Sequence, residues 1–323
     1  MAACTDVRFP ELVELSQLSA ADVDPLLTEE TEVWRRRFGW DFGPSADLLR
    51  RFMHIRALYG YALRSANEII GYAYYVCEGR KALIGDFYVR EKYASPSTEM
   101  LLLGGMTQGL MQVPGIHRIE SQLMLLRTAP SACPLPFSRN LTRHDRFFME
   151  IRCDSGLALR PAVPPSRLTL VPWAERYQEQ LAHLVSASYR GHIDSQINDQ
   201  YRNTPGARQF LTNIVKFPGC GRFMPEASFL ALDPTTGRIC GMCLASQISS
   251  SSGHVTQLCV LPAMRGASLG YELLRQTLTR FADAGCRSVS LTVTCANISA
   301  VRLYESVGFR SRATFPALVW EGF

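Results

Sequence analysis

No apolar stretch of the 323-residue chain approaches the roughly 20 residues that a bilayer-spanning helix needs. Residues 1–14 also lack the basic stretch followed by an apolar core that marks a secretory signal. These absences argue against membrane insertion and export and for a cytoplasmic protein. Basic runs of five or more are missing, as is the aromatic-plus-basic motif of an RNA-binding sheet. The mild net charge of +5 therefore gives no case for nucleic acid, although it suits a small anionic ligand. Ten cysteines are present, but without an export signal they read as reduced, mostly buried thiols. The one C-x-x-C pair, Cys240 and Cys243, falls in a strand-like run where side chains three apart point to opposite faces. No second pair at zinc-ligand spacing accompanies it, so a metal site is not expected.

What is present is ordinary globular material, 47% hydrophobic and 20% charged. It is enough for two domains of about 150 residues. The strongest boundary signal is the proline-rich segment 154–167, DSGLALRPAVPPSR. It divides the chain into a domain over 1–153, a linker over 154–166 and a domain over 167–323. The order of elements is similar on both sides. In the second half, a short strand at 168–171 and a helix at 177–189 precede a polar segment and a helix at 207–216. A hairpin follows, 228–232 with 239–246, turning at Pro234, Thr235, Thr236 and Gly237. In the first half, strands are expected at 12–15, 59–64, 69–77, 82–89 and 117–124, and helices at 20–27, 46–53 and 100–111. Gly71 with Gly241, and Val89 with Val260, repeat at a near-constant offset of about 170 residues, as a duplication would produce.

The two halves differ where chemistry would occur. In the second, a strand at 254–261 ends at Pro262 and enters Arg265, Gly266, Ala267, Ser268, Leu269 and Gly270, after which a helix runs over 271–284. A helix start exposes unpaired amides and a partial positive charge, and small residues before it let a phosphate approach. After a strand at 288–293 come Asn297, Ala300, Tyr304, Gly308 and Phe309, spaced by three, four, four and one. That spacing puts Ala300 and Tyr304 on one helical face, with Asn297 at the N-terminal cap and Gly308 at the C-terminal one. The first half has neither feature. After Val89 it reads Arg90 through Thr98 with a proline and no glycine, and after Met124 it is proline-rich.

Together, the turn, helix, strand and Asn-x-x-Ala-x-x-x-Tyr-x-x-x-Gly-Phe series resemble the GNAT superfamily of acyl-CoA-dependent N-acyltransferases. The direct resemblance covers about residues 228–309. Its architecture is that of a tandem GNAT protein with a degenerate N-terminal copy, as in mycothiol synthase-like enzymes. The resemblance implies an α/β (α+β) fold of two tandem domains, each a mixed, mostly antiparallel twisted sheet flanked by helices. It implies that the amides of Arg265, Gly266, Ala267, Ser268, Leu269 and Gly270 bind the pyrophosphate of acetyl-CoA. Backbone groups of Leu258, Cys259 and Val260 would pair with the pantetheine arm, and Asn297 would hold that arm or the nearby strands. Tyr304 would protonate the departing thiolate. The chain departs from the family loop at Ser268, where a glycine is expected; its amide serves provided the backbone there is not left-handed. It departs again at Gln257, in the region where the family often has a glutamate base. His254 is the catalytic candidate that remains for proton removal, beside a water relayed from the strand backbone. Arg302 belongs to a solvated helix face or reaches a CoA phosphate. The polar segment 190–204, with His192, Asp194, Asp199, Tyr201 and Arg202, would cover the acceptor, and its carboxylates would favour a cationic amine.

Two function classes follow. One is an N-acyltransferase moving an acetyl group from acetyl-CoA to a primary amine by direct attack, in which Cys259 and Cys295 merely pack. The other is an acyl-CoA sensor or scaffold that binds without turnover. A monomer or weak homo-oligomer is expected, without nucleic-acid or membrane partners.

Overall fold

The computed structural model describes residues 10–128, 133–153, 159–162 and 168–323. Two compact units share the chain. The first comprises residues up to Phe38, then Phe42–His144 and Phe315–Phe323; the second comprises Gly39–Asp41 and Asp145–Thr314.

The first unit holds β1 (Glu11–Glu14), α1 (Ala20–Phe38), α2 (Gly43–His54), β2 (Tyr59–Ser65), β3 (Glu68–Glu78), β4 (Lys81–Val89), α3 (Pro96–Met111) and β5 (Arg118–Gln122). The second is built from β6 (Leu141–Arg152, from Asp145 on), β7 (Thr169–Pro172), α4 (Gln178–Ser188), α5 (Asp194–Ile197), α6 (Thr204–Lys216), β8 (Arg222–Phe223) and β9 (Phe229–Asp233). It continues with β10 (Arg238–Ser249), β11 (Ser252–Val260), α7 (Leu269–Asp283), β12 (Ser288–Thr294) and α8 (Ile298–Val307). The last strand, β13 (Arg310–Glu321), ends in the first unit.

The sheet of the first unit runs β1-β2-β3-β4-β5-β13 and that of the second β7-β9-β10-β11-β12-β6, with β8 beside β10. Both sheets are antiparallel except at the same place, β4 with β5 and β11 with β12. Registers coincide as well. Gly71 faces Val89 and Gly241 faces Val260, and each hairpin is bulged at the matching point, Tyr74/Tyr75 and Leu244/Ala245. Glycine at 241 has a steric reason, since a Cβ there would lie 3.0 Å from Leu273 Cδ1 on α7.

Each sheet buries one face under apolar helix stripes. Leu102, Leu103, Met106 and Leu110 of α3 pack on Leu63, Ala73 and Phe87 with Leu318 and Trp320 of β13. In the second unit Leu181 and Val185 of α4, Leu211 of α6, and Leu273, Leu278 and Phe281 of α7 enclose Met242, Leu244, Val289 and Leu291. The helices start and stop where their sequences direct. Ser95 accepts the amide of Thr98 before α3, and Asn203 accepts that of Gly206 before α6, each with a proline in the first turn.

The tandem α/β arrangement matches the expected one. The strand inventory differs from the sequence reading in β6, β8 and β13, which it omitted, and the units are not contiguous halves divided at 154–166. Residues 145–152 serve the second unit's sheet and residues 315–321 the first's, because pairing partners are chosen by tertiary geometry and not by local pattern. Of the expected linker, only residues 159–162 are among those described.

Candidate acyl-CoA cleft

The site arises from a gap in the second sheet. Parallel pairing of β11 with β12 extends from Ser252 opposite Ser288 to Val255 opposite Leu291 and stops. Beyond that point Leu258, Cys259 and Val260 pair with β10 on one side only. Their other edge is left with unpaired peptide groups, the template onto which an extended amide-bearing chain can add. The edge opens on a cleft of about 520 Å³ lined by both ends of the motif-bearing segment, the loop 264–271 and α8.

At the loop, Pro262–Met264 makes a single 3-10 turn and Gly266 adopts φ 80°. The first α7 bond is from Glu272 N to Ser268 O, so the amides of Leu269, Gly270 and Tyr271 have no intrahelical acceptor. They are the donors an anion would use. Arg265 is committed elsewhere: its guanidinium donates to Ser188 O at 2.8 Å and ties the loop to the end of α4. Ser268 caps α7 with φ 58° and ψ 8° and no side-chain cap bond. The condition on which the sequence reading admitted serine is therefore not met, since the backbone is left-handed. That conformation costs a non-glycine residue about 1–2 kcal/mol, against about 0.5–1 kcal/mol of extra chain entropy that glycine loses on folding. Ser268→Gly is accordingly expected to raise stability by roughly 0.5–1 kcal/mol in urea denaturation. A loss of stability would contradict the strain.

α8 begins at Asn297, whose Oδ1 accepts the amide of Ala300 at 3.3 Å, and ends at Gly308 with φ 115°, a value that favours glycine. Those caps fix the rotation that turns Tyr304 into the cleft. The Tyr304 ring lies edge-on to Phe309, 5.9 Å between centroids, and its hydroxyl makes no hydrogen bond among the described residues. Burial, with smaller contributions from Cys243 and Asp194, pushes the phenol well above its ordinary value. The hydroxyl therefore keeps its proton throughout the neutral range.

Of the residues singled out from sequence, Leu258, Cys259, Val260, Arg265, Gly266, Ser268, Leu269, Gly270, Asn297 and Tyr304 line this one cleft; Ala267 and His254 do not. His254 is a correction. The sequence reading made it the catalytic candidate for proton removal at the start of the 254–261 strand, whereas it is buried in the paired part of β11. Its Nδ1 lies 2.9 Å from Ser290 Oγ, and Trp40 covers the ring at 5.0 Å. Burial first, and the Arg146 charge second, push the imidazole down to about 3. It is neither placed nor basic enough to take a proton from a ligand in the cleft. Cys259 lines the cleft as a neutral thiol, pushed up to about 12 by burial, which removes its nucleophilic form.

Sequence reasoning grouped His192 with the polar acceptor segment but did not see its place. It lines the cleft with Ser188 and Tyr189, its ring edge-on to Tyr189 at 5.2 Å and its Nδ1 accepting the amide of Asp194 at 3.2 Å. Asp194 in turn accepts from the Thr294 hydroxyl. Met264, Tyr271, Ser299, Leu303 and Ser306 complete the lining. Gln257 is clamped, donating to the Tyr189 hydroxyl and accepting from that of Tyr201 at 3.3 Å. Its register equivalent in the first unit is Asp86, which faces Tyr74 as Gln257 faces Leu244. The first unit thus keeps a carboxyl at this position, buried against Glu30 and raised by burial to about 6.

Comparison with known proteins agrees with this geometry. Residues 194–309 match the acetyltransferase (GNAT) family. The matched segment lies wholly within the second unit. The chain is 34% identical over 88 residues to an uncharacterized N-acetyltransferase of Methanocaldococcus jannaschii, a match covering 27% of this chain and 55% of that one. The chain thus spans about half the length of that relative. Among solved structures it superposes on a GCN5-related N-acetyltransferase from Sphaerobacter thermophilus. The TM-score is 0.67 at 17% identity, over 96% of this chain and 95% of the other. A tandem GNAT protein from the clavulanic acid biosynthesis pathway gives 0.61 at 16% identity, over 97% and 98%. Both units therefore share the tandem GNAT fold. Among the described residues, no helix is long and apolar enough to cross a membrane.

Proposed function

We propose that the GNAT domain transfers an acetyl group from acetyl-CoA to an amine, in the cytosol, by direct attack on the thioester. The observation that carries this reading is the convergence, in one cleft, of an unpaired strand edge, unpaired helix-start amides and a proton-bearing tyrosine hydroxyl. The edge of Leu258, Cys259 and Val260 would pair with the amides of the pantetheine arm, and the amides at 269–271 would take the pyrophosphate oxygens. Asn297 holds α8 in place as a cap, and Tyr304 donates to the thiolate as it leaves. Holding both reactants in the cleft supplies the positional part of the catalysis. Proton removal from the amine falls to water in the cleft or to His192.

The alternative, a sensor that binds acyl-CoA without turnover, is favoured by one feature, Gln257 locked between two tyrosines where a base could stand.

The first unit has closed its equivalent slot. Arg127 donates to the carbonyl of Val89 at 3.0 Å, the position that matches Val260, and the Glu99 carboxylate on α3 accepts the amides of Arg127 and Thr128. Calorimetry is therefore expected to show one acetyl-CoA bound per chain, with thiol release from acetyl-CoA accelerated by members of an amine panel. Two molecules per chain would contradict the closed slot. Binding without release above hydrolysis for every amine would favour the sensor.

A further inference from the structure

We propose that Arg146 binds the carboxylate of the acceptor, so that the amine this enzyme acetylates is an amino-carboxylate. The inference rests on the acyltransferase reading and deepens it.

Arg146 stands on β6 opposite Thr294, at the end of β12 from which the chain turns into α8 and Tyr304. Its guanidinium is half-buried and carries no ion pair among the described residues. Nη2 donates to two neutral acceptors, Thr292 Oγ1 at 3.2 Å and Thr292 O at 3.4 Å, and Nε is fully covered without any acceptor. A cation without a counter-charge and a covered, unpaired N–H both cost free energy, a cost that a ligand supplying the missing partner would offset. A guanidinium presents its donors as a planar fork, and the partner that fits a fork is a carboxylate.

The surroundings set the direction of that ligand. Thr294, paired with Arg146 across the strands, donates to Asp194, and Asp194 donates its amide to His192, which lines the cleft with Tyr304. The positive charge of Arg146 acts, after burial, to lower the proton affinity of Tyr304, Tyr201 and His254. Asp194 is the carboxylate on the same side, held by Thr294 and 3.6 Å from His192 Nδ1. A ligand with its carboxylate on Arg146 and its amine toward His192, Asp194 and Tyr304 matches the sign of charge at both ends.

The test uses the full chain, acetyl-CoA, and amines in matched pairs that differ by one carboxylate: phenylalanine with phenethylamine, tyrosine with tyramine, leucine with isopentylamine. Products are followed by mass spectrometry. The wild-type protein is expected to favour the carboxylated members in kcat/KM by roughly 10- to 100-fold. In Arg146→Gln that ratio should fall toward one, chiefly through KM, and Arg146→Lys should give an intermediate ratio because it keeps the charge and loses the fork. Circular dichroism and the acetyl-CoA dissociation constant serve as checks on folding. Equal use of both members by the wild type, or a ratio that survives Arg146→Gln, overturns the assignment and leaves the acyltransferase reading standing. No transfer to any member, with acetyl-CoA still bound, overturns both.

Discussion

Tyr304→Phe is expected to lower turnover by about 10²- to 10⁴-fold, the range a positioned general acid contributes, while the acetyl-CoA dissociation constant changes little. The split follows from where the hydroxyl is. The ring is 7% exposed and edge-on to Phe309, so phenylalanine preserves its packing. The hydroxyl makes no hydrogen bond among the described residues, so its removal leaves no partner unsatisfied and the fold is not weakened. The backbone of Tyr304 is independent of the change: its carbonyl accepts from Gly308 and Phe309 and holds the end of α8 in both proteins. The lost function is donation to a sulfur that becomes charged only as the thioester breaks, an interaction stronger in the transition state than in the ground state. Burial raises the phenol above its ordinary value of 10.0, so the proton-bearing form persists to higher pH than in a free tyrosine. Any alkaline fall in wild-type turnover due to this residue therefore lies above pH 10. Steady-state kinetics with thiol detection, beside calorimetry on the same samples, would check both halves. A variant with wild-type turnover across the pH range removes the acid role.

How far the cleft could be read from sequence depends on whether its determinants are local. Asn297, Tyr304 and Gly308 were readable because a cap, a face and a stop are set by spacings of three and four along one helix. The pairing of Gly71 with Val89 and of Gly241 with Val260 was readable as a repeated offset, since duplicated hairpins keep their register. His254 was misplaced because its cover, Trp40, comes from more than two hundred residues away and leaves no mark on the strand itself. The equivalence of Asp86 with Gln257 keeps the offset of Val89 with Val260; what the local pattern does not show is the clamping of Gln257 by Tyr189 and Tyr201, which are distant in sequence. The backbone of Ser268 is left-handed as a glycine's could be, a case where the surrounding loop and not the residue chose the conformation. Arg146 escaped notice because an unpaired guanidinium is defined by what does not reach it. β6 and β13 escaped because a strand's pattern does not say which sheet it will join.

The last of these has the largest consequence for stability. Trp320→Ala is expected to cost about 3–5 kcal/mol, the usual range for emptying a buried aromatic site, out of a total that seldom exceeds about 15. Trp320 is fully buried, its Nε1 donates to Pro136 O at 2.9 Å, and on β13 it faces Ile119 of β5. The core it fills is that of the first unit, with Leu318, Leu102 and Met106, although the residue lies after the entire GNAT domain in sequence. Hydrogen exchange should therefore report the damage far from the substitution in sequence, as lost protection in β2 to β5, rather than in the adjacent α8. Denaturant titration gives the magnitude. If the variant loses less than about 1 kcal/mol, too little for a cavity of this size, or if protection is lost first in α8 and β12, then residues 315–321 are not integral to the first unit. Gly308 and Phe309 alone separate β13 from α8, so the strand that completes the first unit's sheet follows directly in sequence on the segment that carries Tyr304.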